Sequence, residues 1–124
     1  MGYSCMATGI GTDIVKIARF ERGLSDRFLT RVFSEYERAY VQKKNAASIA
    51  GLFAAKEAVV KALGSGFSGF WPCDIEILHD VRGKPYVRLR GKAARLLKRR
   101  HKIMVSISHN ETDAIAFAVV QRIN

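Results

Sequence analysis

Apolar residues recur at every third or fourth position through the middle of the chain, which is the spacing of one buried helix face. The most regular stretch is Ala46–Leu63, where Asn45 is placed to cap the first turn and Gly64 to end the last one. Many of its residues are alanines, so the helix surface is small as well as apolar. The pattern predicts one long central helix that is largely covered by other elements.

Shorter helices are predicted on both sides of the central one. The apolar spacing over residues 14–24 suits a helix capped by Asp13, and Ser25 can cap a second short helix. The S-x-x-E sequence at residues 34–37 is a capping box, which predicts a third helix running to about residue 43. Residues 91–100 show an amphipathic pattern with one strongly basic side, which predicts a further helix.

Alternating or continuous apolar runs predict five short strands, at residues 8–14, 74–79, 85–89, 103–108 and 114–121. Turn residues at 80–84 and 109–113 join the last four strands into two hairpins. The order of elements predicts an α+β fold, with helices on one face of a mainly antiparallel sheet, in one domain over residues 1–124. Residues 1–7 show no periodicity, and we expect them to be a loose leader.

Composition adds a question about the partner. The 124 residues carry 21 Lys+Arg and 11 Asp+Glu, a formal net charge of +10, and 48% of them are hydrophobic. This composition is typical of a folded domain, and the longest apolar run is far below the roughly 20 residues of a membrane span. No signal-peptide pattern precedes Asp13, and Cys5 and Cys73 fit no metal or redox spacing, so we expect reduced thiols in a cytoplasmic protein. The charge calls for an acidic partner: nucleic acid, an anionic membrane, a phosphorylated small molecule or an acidic protein.

The central helix carries the most informative polar pair. Glu57 and Lys61 are four residues apart and share one helix face, in surroundings that are nearly all small and apolar. An exposed ion pair is one interpretation; the other is a carboxylate for Mg²⁺ beside an ammonium for phosphate. One carboxylate holds Mg²⁺ poorly, and Asp13 is the best candidate for a second.

Other motifs point elsewhere or fail. The G-x-G-x-x-G sequence at residues 64–69 follows a helix instead of a strand, which argues against a dinucleotide fold. Ser108, His109 and Asp113 hint at a hydrolase, but neighbouring residues of a strand point to opposite faces. The basic residues between 92 and 102 are either a solvated face or an anion-binding patch, and a nucleic-acid-binding module is the alternative function that this patch supports.

Three blocks of the chain resemble the holo-[acyl-carrier-protein] synthase family, the small 4′-phosphopantetheinyl transferases. Residues 9–15, G-I-G-T-D-I-V, resemble its N-terminal G-x-D block. Residues 53–64, F-A-A-K-E-A-V-V-K-A-L-G, resemble its F-x-x-K-E-A-x-x-K-A-x-G block, and residues 105–109, V-S-I-S-H, resemble its C-terminal strand. The resemblance covers residues 8–120 and implies the 4′-phosphopantetheinyl transferase fold, a mainly antiparallel sheet packed against a long central helix.

The resemblance implies an activity and partners. The family transfers the 4′-phosphopantetheine group from coenzyme A to a serine of apo acyl carrier protein, with Mg²⁺, and releases adenosine 3′,5′-bisphosphate; this supports fatty acid biosynthesis. The implied partners are coenzyme A and an acidic carrier protein, with no nucleic acid and no membrane. The family's sites lie between the subunits of a homotrimer.

The resemblance also assigns roles residue by residue. Asp13 and Glu57 match the Mg²⁺ ligands, and Lys61 matches a lysine that contacts phosphate and assists transfer. The remaining matches are the coenzyme A loop at Gly64, Ser65 and Gly66; the nucleotide contacts Lys84, Pro85 and His109; and the carrier-docking positions Arg19, Arg27, Phe28 and Arg31.

One residue and one turn depart from the family's pattern. Leu52 stands where the family commonly has an arginine, which removes one expected phosphate contact, and the turn at residues 110–113 is unusually acidic. Three questions stay open at this point. The group that takes the serine proton could be a metal-bound water, Glu57 or, less favourably, His109. Mg²⁺ and Mn²⁺ both suit oxygen ligands. The basic residues of 92–102 have no assigned role.

Overall fold

A computed structural model describes residues 5–66 and 69–123, and its main layer is an antiparallel sheet of three strands. The central strand β5 (Asp113–Ile123) pairs with β1 (Cys5–Lys16) on one side and with β4 (His101–His109) on the other. All three predicted strands are confirmed and are longer than expected. The expectation of a loose leader over residues 1–7 is wrong for residues 5–7, which pair with β5 at its far end; residues 1–4 lie outside the described part.

Helix α3 (Ala46–Leu63) packs across one face of this sheet and contacts all three strands. Its predicted caps are confirmed: the Asn45 side chain accepts the Ser48 amide at 3.0 Å, and Gly64 adopts φ +77° just after the last turn. The facing residues are small on both sides, with fully buried alanines on the helix and on β5. Small side chains let the helix and sheet backbones approach closely, and this makes the core thin at the β1–α3 contact.

Two short helices contact α3 through long side chains, Phe28 of the first with Phe53 and Glu37 of the second with Lys56. Helix α1 (Asp26–Val32) is capped by Ser25, and helix α2 (Glu35–Val41) opens with the predicted capping box between Ser34 and Glu37. The predicted hairpin is also confirmed, as β2 (Ile75–His79) and β3 (Pro85–Leu89), which form a separate two-stranded antiparallel sheet. The α+β fold class is therefore confirmed. Within the described residues, no helix is long and apolar enough to cross a membrane.

Two predicted helices are wrong. Asp13 does not cap a helix, because β1 continues to Lys16 and a short 3-10 helix, Ile17–Phe20, follows. Ile14 is 66% exposed and Val15 is 5% exposed, which is the alternation of a strand paired along its whole length with β5. The apolar residues at 14 and 17 fit the helix period, those at 15 and 17 fit the strand period, and the distant partner strand decides between the two.

The second wrong helix is the basic one over residues 91–100. The chain forms a 3-10 helix at Gly91–Leu96 and then leaves helical geometry, with Arg100 at φ +59° before β4 begins. Like charges three or four residues apart, such as Arg95 with Lys98 and Arg99, destabilise an α-helix. The pairing of His101 with Arg122 also requires the chain to be extended immediately afterwards.

Candidate active site

Strand β1 lies directly against helix α3 because two of its residues have no side chain. A Cβ atom on Gly11 would lie 2.0 Å from the carbonyl oxygen of Ala58, and one on Gly9 would lie 2.0 Å from that of Ala62. Any larger residue would push the strand and the helix apart. Because side chains alternate along a strand, Asp13 points to the same side as these glycines, towards the helix.

This contact joins Asp13 to Lys61. The Lys61 ammonium lies 3.2 Å from Oδ1 of Asp13 and donates a hydrogen bond of 2.9 Å to the carbonyl oxygen of Thr12. The Asp13 side chain is 18% exposed and the Lys61 side chain is 54% exposed. The pair therefore lies at the rim of the β1–α3 contact, where a ligand can reach it from solvent.

Glu57 precedes Lys61 by four residues, so the two side chains share one face of α3. Burial raises the pKa of Glu57, the negative charge of Asp13 raises it further, and the positive charges of Lys61 and Arg19 oppose the shift. Arg19 is held beside the site by two rings, with its guanidinium 5.0 Å from the centre of the Phe53 ring and 5.7 Å from that of Phe20. Two carboxylates and two cations thus share one small region.

The chemistry of this donor set fits a divalent cation that prefers oxygen. Two half-buried carboxylates repel each other, as the raised pKa of Glu57 indicates, and a cation between them would relieve that repulsion. Mg²⁺ is typically held by one or two carboxylates and completed by water and substrate phosphate. No group of three or more His, Cys, Asp or Glu side chains is arranged as a metal site in residues 5–66 and 69–123. Asp13 and Glu57 would therefore leave most coordination positions to water and substrate.

The glycine segment after α3 begins one turn beyond Lys61. Gly64 and Gly66 have φ values of +77° and +64°, and the Ser65 hydroxyl donates to the carbonyl oxygen of Gly66 at 3.0 Å. These left-handed conformations favour glycine, and the Gly64 N–H donates to the carbonyl oxygens of Val60 and Lys61 at the end of α3. The rest of the predicted glycine motif includes Phe67 and Ser68, which lie outside the described residues.

A second group of predicted residues meets at a different cavity. Pro85 and His109 line a space of about 180 Å³ between α2, α3 and the ends of β2 and β4, together with Gly83. Leu52, the departure from the family pattern, also lines it. Lys84 does not; its side chain is exposed on the hairpin turn, and its backbone N–H donates to Asp80. Asp13, Glu57 and Lys61 are not among the residues that line this cavity.

The predicted docking positions form one surface on and around helix α1. Arg27 and Arg31 are exposed, and Phe28 is half-buried against Phe20, Phe33 and Phe53. Arg19 lies next to this cluster through its contact with Phe53. The positions therefore connect the catalytic candidates to the outer face of α1.

The chain matches the family model described as the 4′-phosphopantetheinyl transferase superfamily over residues 9–120. The chain belongs to this superfamily. It is 49% identical over 121 residues to a holo-[acyl-carrier-protein] synthase of Clostridium botulinum, a match that covers 94% of this chain and 98% of that protein. It is 48% identical over 120 residues to the protein of the same name from Protochlamydia amoebophila, covering 92% of this chain and 98% of that one.

Solved structures of the superfamily have the same fold. The Plasmodium yoelii acyl carrier protein synthase with ADP bound superimposes with a TM-score of 0.83 at 33% identity, covering 98% of this chain and all of that one. The Bacillus anthracis holo-(acyl-carrier-protein) synthase in complex with CoA (3′,5′-ADP) gives a TM-score of 0.78 at 35% identity, covering 94% of this chain and 98% of that one.

The hydrolase interpretation finds no support in the hydrogen bonds of β4 and β5. Nδ1 of His109 lies 3.2 Å from the carbonyl oxygen of Asn110, and Asp113 accepts the hydroxyl of Thr112 at 2.7 Å. Neither contact involves Ser108. The three residues are close in sequence but are not arranged as nucleophile, base and orienting acid.

Sequence reasoning missed two residues of the second cavity. Tyr40 stacks on His79 with ring centres 4.3 Å apart, and both line the cavity with His109. Nδ1 of His79 is buried and has no hydrogen-bond partner among the described residues, and burial, followed by the charge of Lys44, lowers its pKa. Neither residue belongs to a motif, so only the packing of α2 against β2 reveals them.

Proposed function

We propose that this member of the superfamily transfers the 4′-phosphopantetheine group from coenzyme A to a serine of an apo acyl carrier protein and releases adenosine 3′,5′-bisphosphate. The observation that carries this proposal is the convergence of Asp13, Glu57 and Lys61 at the rim of the β1–α3 contact. The names of the relatives and the coenzyme A in a related structure support the substrates. We further propose that the protein acts in the cytoplasm, where the free Cys73 thiol would stay reduced.

Asp13 and Glu57 are the residues that would hold Mg²⁺. When bound, the metal ion would supply positive charge to the pyrophosphate of coenzyme A, on both the transferred and the leaving oxygens. Lys61 is already fixed by Asp13 and the Thr12 carbonyl, so its remaining N–H can meet a phosphate oxygen without reorganisation. Arg19 adds a second positive charge on the same side.

The proton of the attacking serine needs an acceptor near this phosphate. Glu57 has a raised pKa and lies in the site, which makes it a candidate base when it is not fully engaged with metal. A water held by the same carboxylates is the other candidate. His109 is less suitable within one chain because it lines the separate cavity.

The glycine segment and the second cavity would divide coenzyme A between them. We assign Gly64, Ser65 and Gly66 to the phosphopantetheine arm, because their backbone follows directly after the Lys61 turn. Pro85 and His109 would contact the nucleotide in the second cavity, and Lys84 would reach it from the exposed turn.

A homotrimer would explain why these two regions lie apart in one chain. The sheet face opposite α3 carries apolar side chains that are between 42% and 66% exposed: Ile10, Ile14, Met104, Ile115 and Phe117. A contiguous apolar face of this kind on a small domain marks an interface. Packing three copies through it would place the cavity of one chain beside the carboxylates of a neighbour, as the family's intersubunit sites imply.

The test replaces one carboxylate without changing its shape. Glu57→Gln should reduce Mg²⁺-dependent transfer by at least about 100-fold, because one of two metal ligands is lost. Glu35→Gln, on the exposed side of α2, is the matched control and should transfer at the wild-type rate. Circular dichroism should show the same fold for both variants. Near-normal transfer by the Glu57 variant would reject this site. Measuring the wild-type transfer rate over matched concentrations of Mg²⁺ and Mn²⁺ would show which metal ion supports the higher rate.

A further inference from the structure

Trp71 is an unusually exposed aromatic residue beside helix α1. It is 57% exposed, and the Arg31 guanidinium lies 5.3 Å from the centre of its ring. Exposed tryptophan and arginine side chains are the residue types that dominate binding energy at protein interfaces. Arg31 belongs to the proposed carrier-docking surface, so Trp71 extends that surface beyond α1.

The backbone next to Trp71 is fixed by hydrogen bonds from a buried lysine. Lys56 is 1% exposed, pairs with Glu37 at 2.6 Å, and donates to the carbonyl oxygens of Pro72, at 3.2 Å, and Ile75. The Trp71 amide also donates to Asp74 at 3.3 Å. Because this segment is fixed before any partner arrives, Trp71 can bind without a large loss of conformational entropy.

The positive charge continues past Trp71. Lys92 lines a surface cavity of about 550 Å³ together with Trp71 and Asp74, and Arg95 follows on the same 3-10 helix. Lys92, Arg95 and the basic residues after them make no ion pair with any acidic group in the part of the chain that the structure describes. Asp74 lines the same cavity, and its carboxylate accepts the Trp71 amide.

We propose that the docking surface for the acidic carrier protein continues from helix α1 across Trp71 to Lys92 and Arg95. This inference rests on the proposed function and gives a role to part of the basic segment. An acidic protein is the partner that fits, because the surface combines an exposed ring on a hydrogen-bonded backbone with cations that make no ion pair among the described residues. The cations would steer encounter, and Trp71 would supply the desolvated contact at the centre.

Trp71 itself reports the binding, since it is the only tryptophan of the chain. The probe is an apo acyl carrier protein that lacks tryptophan and has its acceptor serine replaced by alanine, so that it docks but cannot react. We expect a saturable change in Trp71 fluorescence that weakens as salt is raised. Lys92→Glu should raise the Kd about three- to tenfold, through the lost attraction and the new repulsion. Arg82→Glu, an identical charge change on the exposed hairpin turn, should leave the Kd unchanged.

Trp71→Phe and Trp71→Ala complete the test, with binding followed by calorimetry. The alanine variant should raise the Kd about tenfold and the phenylalanine variant less, because a smaller ring keeps part of the contact. A carrier protein that binds without changing Trp71 fluorescence, or with equal Kd for the Lys92 and Arg82 variants, would overturn the extension. Saturable binding of a DNA duplex, but not of the carrier protein, would overturn it in favour of a nucleic-acid surface. Transfer of phosphopantetheine by the wild-type chain is measured separately. A failure of the docking prediction can therefore be distinguished from a failure of the proposed function.

Discussion

The close approach of β1 and α3 predicts that one added methyl group at Gly11 disables the site. In Gly11→Ala the new Cβ would lie 2.0 Å from the Ala58 carbonyl oxygen, 2.7 Å from the Ala62 nitrogen and 2.9 Å from Cβ of Lys61. These are backbone or Cβ atoms, which cannot rotate away. Ordinary contact begins at 3.4 Å, so relief of the shortest distance requires 3.4 − 2.0 = 1.4 Å of separation between strand and helix.

That separation has two measurable consequences. Overpacking of this kind costs about 1–3 kcal/mol of unfolding free energy. The same shift carries Asp13 away from Glu57 and Lys61, and a displacement of about 1 Å in a catalytic group can lower a rate about 100-fold. We therefore expect Gly11→Ala to lose activity by far more than its loss of stability explains, since most of the protein should stay folded at 25 °C.

The assay combines urea unfolding with transfer kinetics over a range of Mg²⁺ concentrations. Gly23→Ala is the matched control, because a Cβ there would meet nothing within 4 Å. Its stability should change by no more than about 0.5 kcal/mol, and its rate should be that of the wild type. If Gly11→Ala matches Gly23→Ala in both stability and rate, the close β1–α3 contact is not what assembles the site.

Three further predictions concern buried and exposed charges and the apolar face. Lys56→Met leaves the fully buried Glu37 carboxylate without its cation and should lower the unfolding free energy by about 3–5 kcal/mol in urea, with part of the loss restored by a second change, Glu37→Gln. Burial and the charge of Asp13 raise the folded-state pKa of Glu57, so its ionisation costs stability in the metal-free protein as pH rises through that pKa. Metal-free Glu57→Gln should therefore melt at a higher temperature than wild type at pH 7, where Glu57 is ionised. At pH 3, where Glu57 is protonated, the two proteins should melt at the same temperature. Phe117→Glu should convert the proposed trimer to monomers in sedimentation velocity, with transfer lost in parallel.

Each of these has an outcome that contradicts it. A Lys56→Met protein as stable as wild type would show that the buried Lys56–Glu37 pair is not needed for stability. A metal-free Glu57→Gln protein that melts lower than wild type at pH 7 would reverse the sign argued for Glu57. A Phe117→Glu protein that keeps the oligomeric state of the wild type would place the subunit contact elsewhere.

Local signals in the sequence were sufficient for α3 and the hairpin. Asn45 and Gly64 mark the two ends of α3, and the turn at residues 80–84 joins two strands of equal length, so nothing distant was needed. The stretch after Asp13 is different, because its apolar spacing fits a helix or a strand equally well. Its pairing with β5, about 100 residues later in the chain, determines the answer.

The convergence of Asp13, Glu57 and Lys61 was predictable in kind but not in geometry. The spacing of Glu57 and Lys61 placed both on one helix face, and the need for a second carboxylate pointed to Asp13, which the resemblance then matched as well. They meet because Gly9 and Gly11 let β1 approach α3 closely, and the sequence predicted a strand there but not this contact. The cavity of Tyr40 and His79 depends on packing between separate elements and had no sequence signal.

The most direct test of the proposed function is the mass of the carrier protein after reaction. Apo acyl carrier protein is incubated with coenzyme A, Mg²⁺ and this chain, and its intact mass is then measured. We predict a gain of one phosphopantetheine group at the acceptor serine, which disappears when Mg²⁺ is chelated and when Glu57→Gln replaces the wild type. A carrier protein that a different transferase can modify, but that gains no mass here, would contradict the account.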